Sequence, residues 1–203
     1  MPARPAGAFS RTFSRRRVAG LAGAALAVVA AVVSWAGWVL VVRDRVVPGW
    51  GLGAVLLAVA LVLLWYPVAA RGPVVVEAPR ARRPVPRWVR TASTVLAVAS
   101  VGLAAVGDAL YEAEYRVLPS DASDGCRVVT RETSALMVGS GDVYVVRALG
   151  VGQRVATWTA DDGYRAVRAG AYDLDLGQDG GTLTVRGTSN DPVMPSLHTI
   201  DCR

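Results

Sequence analysis

Three apolar runs within the first 111 residues set the strongest limit on what this chain can fold into. Residues 18–42 and 46–70 carry no charged side chain, and residues 89–110 carry only Arg90 and Asp108. Each approaches or exceeds the roughly 20 residues that cross about 30 Å of hydrocarbon at about 1.5 Å per residue. Three such runs packed as core helices of a soluble protein would have almost no polar face for water to solvate. The pattern therefore predicts transmembrane helices over 18–42, 46–70 and 89–111.

Charge placement gives that prediction a direction. Residues 1–111 hold 13 Arg against three acids, and residues 112–203 hold nine Arg against 13 acids. A pI near 10.0 would ordinarily point to nucleic acid. Here the arginines flank the apolar runs, so nucleic acid is not an expected partner and the bilayer is. Eleven Arg lie in the N-terminal segment and in the connection around residues 71–90, against Arg43 and Arg45 in the first connection. Positive-inside counting predicts a cytoplasmic basic tail over 1–17, a short outer loop over 43–45 and a cytoplasmic Arg/Pro-rich loop over 71–88. Trp35, Trp38, Trp50, Trp65, Trp88, Tyr111 and Tyr115 sit near the expected boundaries, where aromatic rings favour the headgroup layer. Ser14-Arg15-Arg16-Arg17-Val18 resembles a twin-arginine export signal, but the apolar run continues past it without a small-residue cleavage site.

After a stalk over 112–125, the period changes from helical to two. Val143-Tyr144-Val145-Val146 follows Gly139-Ser140-Gly141-Asp142, a composition that predicts a hairpin turn. Residues 155–159 form another β-branched run. Tyr172, Leu174 and Leu176 alternate with Asp173 and Asp175 before a Gly-rich turn and a second strand over 182–186. Residues 126–203 are thus expected to be a small all-β domain, an antiparallel sandwich or barrel. The expected fold class is three transmembrane helices followed by that extracytoplasmic domain.

The two cysteines, Cys126 and Cys202, stand near the two ends of the β-rich part. Two thiols so placed in an exported domain predict a disulfide.

Chemistry-bearing residues are few. His198 is the single histidine, which excludes a multi-histidine metal site. Ser196, His198 and Cys202 would share a face of one strand, which makes a partly buried structural imidazole the expectation. Asp173, Asp175 and Asp179 do not match a calcium loop. No catalytic residue, metal or cofactor is expected. Asp108 is the one acid in an apolar run, and Trp158 is the one tryptophan outside the boundary set; with His198 they are the functional candidates. The expected function is a non-enzymatic integral membrane protein displaying a β-domain for binding, sensing or scaffolding at the cell envelope, with another envelope protein as a further partner. The alternatives are a small hydrolase-like enzyme using Ser196 and His198, or an accessory subunit of a transport complex.

Overall fold

A computed structural model describes residues 15–65, 86–119, 126–147, 149–177 and 179–203. Most of the expected basic tail and Arg/Pro-rich loop, and residues 120–125 of the expected stalk, lie outside them. In chain order the elements are α1 (Arg15–Trp35), β1 (Trp38–Val42), β2 (Arg45–Pro48), α2 (Gly49–Trp65), α3 (Arg87–Leu110), β3 (Glu114–Val117), β4 (Arg127–Ala135), β5 (Val138–Val146), β6 (Val151–Asp161), β7 (Tyr172–Leu176), β8 (Gly180–Val185), β9 (Val193–Met194) and β10 (Leu197–Asp201).

The expected fold class is overturned. Helices and strands interleave into one compact α+β fold, because the apolar stretch around residues 38–48 is a β-hairpin and not the ends of two spans. Gly37 stops α1 in the left-handed conformation that glycine accepts without steric cost. The β-branched run after it pairs with residues 45–48 across an Arg43-Asp44 turn, and Trp38, Val39 and Leu40 pair with β6. Val39 and Val41 are apolar because they face a protein core. Hydropathy alone does not distinguish that burial from lipid.

Six antiparallel strands in the order β2-β1-β6-β5-β4-β3 form a nearly closed barrel, with β2 and β3 approaching each other and β9 added beside β6. A smaller antiparallel sheet, β10-β8-β7, packs across it. The central strands β4 and β5 bury both faces. Val128, Val143 and Val145 join Trp158, Leu183, Val185 and Ile200 in the core between the sheets. Val129, Tyr144 and Val146 point the other way, toward Val39 and Val41 inside the barrel.

The turn between β4 and β5 falls at Leu136-Met137, not at Gly139–Asp142. Those glycines lie within β5 for reasons of space. A Cβ on Gly141 would stand 2.0 Å from the Trp158 ring, so this position gives the largest buried side chain its seat. The expected hairpin over residues 172–186 does form, with Leu174 opposite Leu183.

The helical layer packs through small residues: Ala27, Ala30, Ala60 and Ala97 are fully buried with Leu57 and Val101. A Cβ on Gly53 would come within 2.8 Å of the Ala30 carbonyl, so α1 and α2 approach closely only because it has none. Among the described residues α3 alone is long and apolar enough to cross a membrane. Its 24 residues give about 36 Å, whereas the 17 of α2 give about 26 Å. The expectation of three spans is corrected accordingly. Only Ala97 and Val101 of α3 are buried, and Leu96, Leu103, Val106 and Leu110 are exposed.

Candidate functional site

The polar centre of the molecule lies where the mouth of the barrel meets the helices. It is built around Asp108, near the end of α3. The Asp108 carboxylate accepts hydrogen bonds from Trp50 Nε1 at 2.7 Å, the Tyr115 hydroxyl at 2.8 Å, and Arg131 Nη2 and Nε at 2.6 and 3.1 Å. Arg131 Nη1 donates to Asp142 at 2.8 Å, and Arg154 reaches the other Asp142 oxygen at 3.4 Å. One carboxylate thus joins the first turn of α2, the end of α3, β3 and β4. A carboxylate near a helix C-terminus opposes the helix dipole, and the Arg131 guanidinium offsets that cost.

Register explains how these groups meet. Arg131 and Asp142 are direct cross-strand partners, so they share the face of Val129 and Tyr144. Arg154 joins them through a bulge. Asp142 faces Thr157 and Tyr144 faces Arg154, leaving Val155 as the extra residue that brings Arg154 and Thr157 to one face. Burial pushes the Tyr115 and Tyr144 phenols far above their usual range, so both remain protonated and Tyr115 keeps the proton it donates to Asp108. Burial would weaken the hold of Arg131 on its proton, but Tyr115 and Asp108 reverse this and the guanidinium stays charged.

Beside this network is a cavity of about 270 Å³, bordered by Trp35, Trp38, Trp50, Tyr111, Tyr144 and Arg154. That is just under the range of about 300–1,000 Å³ typical of small-molecule pockets. The two carboxylates and two guanidiniums around it are paired with one another. This arrangement is suited to joining two layers, with little charge left to attract a ligand.

The three sequence candidates separate. Asp108 is at the junction. Trp158 and His198 are together in the inter-sheet core, with ring centroids 5.8 Å apart. His198 Nε2 is buried without a partner, and the ring is otherwise hydrogen-bonded to the backbone of Pro195. Ser196 precedes β10 and is exposed, so the expected shared face of Ser196 and His198 does not exist. Ile200 and Cys202 do follow His198 inward, and Cys202 is bonded to Cys126. Arg165 pairs with Glu112 at 3.0 Å. Among the described residues no group of three His, Cys, Asp or Glu side chains is placed to hold a metal ion.

Sequence reasoning missed Arg131, Asp142 and Glu132. The Glu132 oxygens accept the Val167 and Arg168 backbone N–H groups, each at 2.8 Å, and so tie the segment before β7 to β4. Placing the β4–β5 turn at Gly139–Asp142 hid the Arg131–Asp142 pair, because a correct register is what sets them opposite each other.

The placement of His198 predicts a pH effect. Burial holds its pKa below the ordinary 6.5, against the smaller opposing effect of the Pro195 hydrogen bond. A depressed folded-state pKa contributes stability above the unfolded value that is lost as pH falls through the folded one. The urea midpoint should therefore drop more between pH 7.5 and 5.5 for the native chain than for His198→Gln. Parallel slopes would refute the assignment.

No protein-family model matches the chain, and no curated protein or solved structure matches it either.

Proposed function

We propose that this protein is a non-enzymatic, membrane-anchored binding or scaffolding component of the cell envelope. In this reading α3 crosses the bilayer, α1 and α2 lie against it in the same apolar layer, and the β-sheets stand on the extracytoplasmic side. The Asp108 junction is the observation that carries the proposal. It locks the helices to the barrel through charge-assisted hydrogen bonds, which a rigid display module needs and a flexibly tethered domain does not.

Two further features support it. Val28, Val32, Val55, Val62, Leu96 and Leu103 are exposed on the three helices, apolar side chains that a bilayer would cover. The Cys126–Cys202 bridge is the mark of an oxidising, extracytoplasmic compartment. Because the junction cavity is small and its charges are paired, a partner is expected on the outer surface of the sheets.

Fractionation tests the reading. The chain should remain with membranes through an alkaline carbonate wash. An epitope appended after Arg203 should bind antibody on intact cells. Recovery in the soluble fraction, or labelling only after permeabilisation, would overturn the proposal.

A further inference from the structure

The β4–β5 turn displays three consecutive apolar side chains to solvent: Leu136 is 101% exposed, Met137 74% and Val138 56%. Isolated exposed apolar residues are ordinary, but a run of three at a hairpin tip is a liability unless something covers it. The turn has two residues, Leu136 and Met137, because Ala135 pairs with Val138. Leu136 holds a positive φ of 53° where glycine is the usual occupant, so a large apolar group is kept at a position that disfavours it.

The topology says where this tip points. β3 begins just after α3 ends and runs away from the helices, so its antiparallel neighbour β4 runs back toward them. Glu132 is opposite Glu114, the first residue of β3, and β4 continues for three residues beyond that pair. The Ser134 N–H donates to the Tyr111 carbonyl at 3.0 Å, which brings the hairpin alongside the end of α3. Leu110 and Tyr111 are themselves exposed there. The tip is thus at the helix end of the barrel, beside the C-terminus of α3.

We propose that Leu136, Met137 and Val138 insert into the interfacial layer of the bilayer that α3 crosses, giving the barrel a second membrane contact. The inference rests on the membrane reading above. It supplies an apolar medium for a tip that otherwise has none, at the level where Tyr111 meets the headgroups.

The full chain, reconstituted in phosphatidylcholine–phosphatidylglycerol vesicles, allows a direct test. Single cysteines at Met137→Cys, Val98→Cys and Leu149→Cys are labelled, without reduction, with an environment-sensitive fluorophore. Val98 is exposed on α3, and Leu149 is exposed in the connection from β5 to β6, at the opposite end of β5 from the tip. Lipids spin-labelled near the headgroup should quench the probe at position 137 at least about twofold and leave the probe at 149 unchanged, while lipids spin-labelled deep in the acyl chain should quench the probe at 98, in the middle of α3. Quenching at 98 but not at 137 overturns the inference while the membrane reading stands. Quenching at none of the three positions overturns both. Equal quenching at 137 and 149, or shielding of 137 from aqueous iodide without lipid quenching, also overturns the inference, the latter by assigning the cover to protein.

Discussion

Replacing either cysteine with serine should destabilise the chain by about 4–5 kcal/mol, the largest single-residue effect expected here. Cys126 precedes β4 of the barrel and Cys202 follows β10 of the small sheet, so the bridge staples one sheet to the other across 76 positions of chain. Opening a loop of that length returns considerable conformational freedom to the unfolded state. The three-stranded sheet has strands of five or six residues and depends on its packing against the barrel, so it should loosen first. Cys126→Ser and Cys202→Ser should unfold at similar urea concentrations, and the double variant should be no worse than either. An additive double variant, or complete alkylation of both thiols in denatured, unreduced protein, would refute the linkage.

Removing Asp108 should be nearly as damaging. Asp108→Ala leaves the Arg131 guanidinium with Asp142 alone and strips an acceptor from the Trp50 N–H and the Tyr115 hydroxyl. Both members of the Arg131–Asp108 pair are mostly shielded from water, with side chains 22% and 13% exposed. Breaking such a pair from one side strands a poorly solvated charge, at a cost of about 3 kcal/mol. Asp108→Asn keeps an acceptor for the neutral donors while losing the charge, so it should cost about half as much. A cycle combining Asp108→Ala with Arg131→Met should show coupling of at least about 1 kcal/mol, read from unfolding in detergent. Amide exchange at Tyr115 and Arg131 should quicken, as the barrel mouth is no longer tied to the helices. Strict additivity would mean that the two residues stabilise the fold independently and that the junction does not couple the layers.

The same cluster shows why part of the site was legible and part was not. Asp108 stands out in the sequence as an acid in an apolar run, and its location at the boundary of the helical layer follows from its three-residue distance to Tyr111. Its partners carry no such signal. Trp50 and Tyr115 look like residues of a membrane-interface belt, and their polar ends instead meet one carboxylate inside the protein. Arg131 and Asp142 become a pair only in one hairpin register. Arg154 reaches them only because a bulge breaks the alternation of β6. Local patterns record which face a residue favours, and a one-residue shift in pairing reverses that face.

By itself, the sequence determined the apolar helices, the change to strand periodicity beyond the third of them, the Cys126–Cys202 bridge and the inward placement of His198. Each follows from local periodicity, residue type or the simple count of two cysteines. The tertiary structure alone decided that residues 38–48 leave the helical layer and pair in the barrel, that among the described residues α3 alone is long and apolar enough to cross a membrane, and that Asp108 anchors a joint between layers. The physical reason is that transfer out of water rewards an apolar side chain whether a lipid or a protein core receives it. The choice between the two is made by pairing partners distant in the chain: Trp38 with Gln153, and Asp108 with Arg131.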